Sequence, residues 1–145
     1  MVRSQLLMVK GAGSDDVVGV TKIKSFEDLN VWKACRELRR NLFDLTSAFP
    51  NEERFRLADQ IRRAAISVTS NIAEGYGRYH YQENIQFCRQ SRGSLYEVLD
   101  HLTTAVDLGY VSDGELQKYR SAIVDAVKLI NGYIRMLGQR KRAEV

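Results

Sequence analysis

An all-α fold, with four helices in an antiparallel up-down bundle, is predicted by three features of this 145-residue sequence. Four segments carry apolar residues recurring three or four residues apart, or at the sum of the two, the period that lines them along one side of a helix. Pro50, the single proline, falls between two of those segments rather than inside one. Valine and isoleucine do not gather into alternating runs, so strands are not indicated.

The elements follow in chain order. Residues 1–24 have no sustained periodicity and carry a row of turn formers, Gly11, Gly13, Ser14, Asp15 and Asp16, so they are expected to be a flexible N-terminal extension. The bundle domain is expected over 25–138. Its first helix runs from Phe26 or Glu27 to Ser47, capped by Ser25 with Asp28 three residues on and stopped by Pro50. Its apolar stripe is Leu29, Trp32, Cys35, Leu38, Leu42 and Leu45. The second helix spans about Glu52 to Ala73, with Asn51 as its cap and the acids Glu52 and Glu53 at the positive end of the helix dipole. Leu57, Ile61, Ala64, Val68 and Ile72 form its core stripe, and Gly75 and Gly77 end it.

The third helix spans about Tyr81 to Leu108, with the stripe Tyr81, Ile85, Cys88, Arg92, Leu95, Leu99, Leu102 and Val106. That strict alternation of four and three is the pattern of left-handed bundle packing, and Gly93-Ser94 beside Arg92 would admit a neighbouring backbone closely. A capping box, Ser112-Asp113-Gly114-Glu115, opens the fourth helix, which runs to about Leu137 before Gly138. Its stripe is Leu116, Ile123, Val127, Ile130, Ile134 and Leu137, and residues 139–145 are left as a basic tail. Helices of about 20 to 28 residues make rods of roughly 30 to 40 Å. Short connections make sequential helices antiparallel neighbours.

The chain is 44% hydrophobic and carries a net charge of +4, enough to bury a core without disulfides or metal and mildly in favour of an anionic partner. Cys35 and Cys88 fall at or beside apolar stripe positions with no CxxC spacing, which reads as buried free thiols in a reducing compartment. No segment reaches the roughly 18 apolar residues that a membrane span needs. Gln5 to Val9 is too short for a signal-peptide core and is interrupted by Lys10. A cytoplasmic protein without a membrane segment is expected.

Enzyme chemistry is not indicated. A di-iron bundle needs Glu-x-x-His on two helices plus a glutamate from each of the others. The only histidines are His80 and His101, and their surroundings have neither the order nor the spacing. No Ser-His-Asp arrangement, phosphate-cradling glycine loop or activated cysteine is present, and Gly75-Tyr76-Gly77 reads as a helix cap. No catalytic residue, metal or cofactor is expected.

Two constellations remain. A polar stripe of short amides, hydroxyls and single charges, Gln60, Arg63, Ser67, Asn71 and Glu74, runs along the second helix beside its core stripe. With Arg78, Arg92 and Glu97 it is expected to form a structural polar network in which Arg63 faces Glu97, fixing register and assembly. The other constellation is basic: Lys33, Arg36, Arg39 and Arg40 on the first helix, with Arg135, Arg140, Lys141 and Arg142 near the C-terminus. Its plain reading is a solvated face and a frayed tail. Its functional reading is a surface for nucleic-acid phosphates, low in sequence specificity because cations without exposed aromatics contact backbone more than bases.

Several segments carry a resemblance to a family: Phe26-Glu27-Asp28-Leu29-x-Val31-Trp32-x-Ala34, Phe49-Pro50-x-Glu52, Gln60-Ile61-Arg62-Arg63-Ala64-Ala65-x-Ser67, Asn71-Ile72-Ala73-Glu74-Gly75-x-Gly77-Arg78, Gly93-Ser94-Leu95-x-Glu97 and Leu108-Gly109-Tyr110. On these the chain from Phe26 to Leu137 resembles the four-helix bundle proteins encoded by intervening sequences in bacterial 23S ribosomal RNA genes, distantly related to the accessory proteins of diversity-generating retroelements. The resemblance implies a homopentameric ring without enzyme activity. Through the retroelement relatives it also implies a basic pentamer that binds RNA or DNA and a reverse transcriptase. A non-enzymatic, homo-oligomeric nucleic-acid-binding accessory protein is therefore expected. The competing reading is a protein-interaction scaffold whose basic surface meets an acidic partner.

Overall fold

The computed structural model describes residues 5–10 and 17–144. Four helices carry the fold: α1 (Asn30–Ser47), α2 (Leu57–Tyr76), α3 (Tyr81–Asp107) and α4 (Asp113–Ala143). Ahead of them two strands, β1 (Gln5–Lys10) and β2 (Val17–Ile23), pair antiparallel with Gln5 opposite Ile23 and Met8 opposite Val20. The sequence indicates no strand there, because neither segment shows the alternation of a half-buried sheet. β2 ends on Ile23, which is buried in the bundle core. The turn formers between Gly11 and Asp16 lie outside the described residues.

The capping box at Ser25 forms as expected, with Ser25 Oγ accepting from Glu27 N–H and Asp28 accepting from the N–H groups of Lys24 and Ser25. Those two backbone donors hold the Asp28 carboxyl below its ordinary pKa. The cap opens a single 3-10 turn, Phe26–Asp28, and the chain is extended at Leu29 before α1 begins. That break drives Leu29 fully into the core. It also shifts the buried stripe of α1 to Val31, Cys35, Leu38, Leu42 and Thr46, leaving Trp32 and Leu45 at its margin.

α2 also starts later than its sequence implies. Asn51 to Glu53 form a 3-10 turn, and Asn51 does not cap α2. Glu53 instead accepts from Leu57 N–H and from the Tyr110 hydroxyl. The expected core stripe of α2, Leu57, Ile61, Ala64, Val68 and Ile72, is buried throughout. α2 continues through Gly75 to Tyr76, so Gly75 is no cap. A Cβ there would lie 2.7 Å from Asn84 Oδ1 and 2.8 Å from Phe87 Cβ. The close approach expected at Gly93 is at Gly75, since a Cβ at Gly93 would meet nothing within 4 Å among the described residues.

Contacts between consecutive helices run in opposite sequence directions. From α1 to α2, Arg39 Nη1 donates to Thr69 Oγ1 at 2.8 Å, while Arg62 Nε donates to Thr46 Oγ1 at 2.8 Å. From α2 to α3, buried Ser91 donates to the Val68 carbonyl at 2.7 Å. From α3 to α4, Asn84 Nδ2 donates to Tyr133 Oη and Arg92 Nη1 to Asn131 Oδ1. The buried residues of α3 therefore include Asn84, Ser91, Val98 and Ala105 as well as Ile85, Cys88, Leu95 and Leu102. A helix lodged between two neighbours buries more than one stripe, and the small residues face the closest partner. Arg92 lies at the edge of that core and does not interrupt it.

α4 opens on the expected Ser112 and Glu115 capping box. It runs past Gly138 to Ala143, so the sequence-assigned tail is helical through Arg140, Lys141 and Arg142. Cations in a last turn are favoured by the negative end of the helix dipole. Burial pushes the Cys35 and Cys88 thiols up to about 12, so both are neutral packing groups.

Candidate nucleic-acid interface

The first turns of α3 lie against the last turns of α4, and Lys141 Nζ donates to Gln82 Oε1 across the seam. The seam opens into a groove of ≈ 420 Å³ whose floor is Ile85, Ile134 and Gly138. Arg89, Arg135, Lys141 and Arg142 stand around it, with Gln82 and Gln139, and none of its described lining residues is acidic. Gly138 keeps the floor low: the place a Cβ would take lies 3.7 Å from Arg142 Nη1. Cations gathered in one concavity repel one another and concentrate a field that draws an anion.

Of the basic residues singled out in the sequence, the structure gathers Arg135, Lys141 and Arg142 in this groove, with Arg140 half-exposed on the same last turns of α4. On α1, Lys33, Arg36 and Arg40 are exposed. Arg36 lies 5.8 Å from the Trp32 ring centroid, and Arg40 approaches Glu37 at 4.0 Å. Arg39 is a correction: it turns inward to Thr69 and joins α1 to α2.

Arg89 and Gln82 were not legible as site residues from composition, although a signal was present. Gln82 and Arg89 are seven residues apart on α3, as are Arg135 and Arg142 on α4, and that spacing of two turns puts each pair on one face. Only the adjacency of the two helices makes the pairs converge. Arg62, also unremarked, spans three acceptors at the end of α1, the Phe43 carbonyl, Thr46 Oγ1 and Ser47 Oγ. Its guanidinium sits 5.0 Å from the Phe43 ring centroid, so its donors are committed to structure.

The expected polar network does not form as one unit within the chain. Arg63 reaches back one turn to Asp59 at 2.8 Å with its side chain 80% exposed, and Glu97 lies 3.4 Å from His101 on its own helix. Arg78 pairs with Glu74 and stacks on Phe87, while Arg92 serves Asn131. Ser67 is tied to α3 through the Ser67 and Ser94 hydroxyls at 2.9 Å, with the Asn71 amide donating to Ser67 within α2. Gln60 is exposed. An ion pair one turn away on the same helix costs less ordering than one across helices, and the long side chains take it. Arg63→Ala is therefore expected to change the unfolding free energy by no more than about 0.5 kcal/mol. Urea unfolding checks this, and a loss of several kcal/mol would place Arg63 in a buried network after all.

Among the described residues no helix is long and apolar enough to cross a membrane. No group of three or more His, Cys, Asp and Glu residues among them is arranged to hold a metal ion. The model of the 23S rRNA-intervening sequence protein family matches residues 27–132. That span includes Gln82 and Arg89 and ends before Arg135, Lys141 and Arg142. The fold is similar to that of a protein of unknown function from the S23 ribosomal protein family of Bacteroides thetaiotaomicron, with a TM-score of 0.66 and 19% sequence identity over 72% of this chain and 97% of that one. No curated protein matches the chain.

Proposed function

Since the chain belongs to the 23S rRNA-intervening sequence protein family, we propose for it an RNA-related role as a non-enzymatic, cytoplasmic accessory protein that holds nucleic-acid phosphates in the basic groove between α3 and α4. The observation that carries this reading is the convergence of Arg89, Arg135, Lys141 and Arg142 around one concavity with no acid among its described lining residues. Three forked guanidinium groups and one lysine ammonium suit phosphodiester oxygens, and such contacts give affinity without sequence preference. The antiparallel up-down bundle assembles into a homo-oligomeric ring, a pentamer, and repeats the groove around it. The outer face of α2 supports that assembly with an exposed apolar side chain, Ile66, which is 47% exposed. Repetition raises avidity without adding contacts per copy.

The test pairs light scattering with a binding titration against a generic single-stranded RNA. The expected result is a mass several times the 16.6 kDa chain and binding that weakens steeply with salt. A monomer that ignores RNA even at low salt overturns the reading and favours a scaffold for a protein partner.

A further inference from the structure

The turn between α2 and α3 carries two aromatic rings at the surface. Tyr79 is 65% exposed and His80 is exposed. Their ring centroids are 4.9 Å apart with planes at 90°, an edge-to-face pair. The backbone on both sides is anchored. Gly77 N–H bonds the Ala73 carbonyl, the His80 carbonyl accepts from Asn84 N–H, and Arg78 is held between Glu74 and the Phe87 ring. The rings are thus presented by a fixed turn, which lowers the ordering cost of a contact. Gln82, which bonds Lys141 at the mouth of the basic groove, is three residues beyond Tyr79, a chain reach of at most about 11 Å.

We propose that Tyr79, supported by His80, is a stacking platform for an unpaired base, so that the ligand of the adjoining groove is a single strand rather than a duplex. This rests on the reading above that the groove holds phosphates. A base within a duplex is covered on both faces by its neighbours and cannot stack on a protein ring, whereas a single strand offers its bases beside its phosphates. Every base has such a face, so the platform adds affinity for single strands without reading sequence. The exposed aromatic that the basic surface lacked in the sequence is supplied by the turn next to it.

The experiment compares three probes of equal length on the full chain: an oligouridylate of about 12 nucleotides, an abasic strand with the same phosphates, and an RNA duplex. The parent is expected to bind oligouridylate most tightly. Tyr79→Ala should weaken oligouridylate roughly ten- to a hundredfold, leaving the abasic strand, the duplex and the salt slope unchanged. Tyr79→Phe should restore the parent's affinity, and circular dichroism should show both variants folded. Equal binding of base-bearing and abasic strands by the parent, or no loss in Tyr79→Ala, overturns the platform while the phosphate groove stands. Binding of none of the three probes at low salt removes the groove reading itself, and the platform with it.

Discussion

Gly75→Val is expected to destabilise the chain by about 3 kcal/mol or more, lowering the melting temperature by roughly 10 °C. The α2–α3 contact leaves no room for a side chain at this position. A Cβ would sit 2.7 Å from Asn84 Oδ1, 2.8 Å from Phe87 Cβ and 3.1 Å from the Asn84 carbonyl oxygen. Asn84 cannot retreat without loss, because it is fully buried, donates to Tyr133 Oη at 3.2 Å and accepts from Cys88 Sγ. Gly75→Ala is expected to cost about 1 to 3 kcal/mol from overpacking, less the roughly 1 kcal/mol by which alanine favours a helix. Gly93→Ala provides the opposite sign: its Cβ would meet open space on an exposed helical face, and a gain of about 0.5 to 1 kcal/mol is expected. Thermal melting by circular dichroism decides both. Equal melting of Gly75→Val and the parent would mean that α2 and α3 are not in close contact.

These two glycines also mark where the sequence stops being legible. The stripe from Leu57 to Ile72 and the capping box at Ser112 are local patterns, and each appears in the structure as read, whereas the box at Ser25 forms but caps a 3-10 turn and not α1. Which glycine faces a neighbour depends on helix rotation, and both lie on helices where one residue of phase, about 100°, separates core from solvent. The same ambiguity moved burial from Arg92 to Ser91 and from Trp32 to Val31. Arg39 and Arg40 are adjacent in sequence, yet the first binds Thr69 and the second faces solvent. The groove needed one fact that no single helix contains, that the start of α3 lies against the end of α4. The strand pair was illegible for a different reason: neither segment carries the apolar–polar alternation by which a short strand is read from sequence.

Replacing Arg89, Arg135 and Arg142 together with glutamine is expected to cut single-stranded RNA binding severely while leaving the fold intact. The three guanidinium groups line one groove, and none is among the cross-helix ties formed by Arg39, Arg62 and Arg92. Each phosphate contact on a single strand contributes about 0.7 to the slope of log affinity against log salt. Loss of three contacts per chain should therefore flatten the slope by about 2, with a uniform loss across sequences. The exposed cations of α1 provide the comparison, and Arg39 is left out of that variant because its removal would disturb the α1–α2 contact.

The salt dependence of oligouridylate binding, measured side by side on the parent, on Arg89→Gln/Arg135→Gln/Arg142→Gln and on Lys33→Gln/Arg36→Gln/Arg40→Gln, tests the groove most directly. The expected result is a steep slope for the parent, a slope about 2 units shallower for the groove variant, and a smaller change for the α1 variant. A groove variant that keeps the parent's affinity and slope, or an α1 variant that loses more than it does, would contradict the assignment of phosphate binding to the α3–α4 groove.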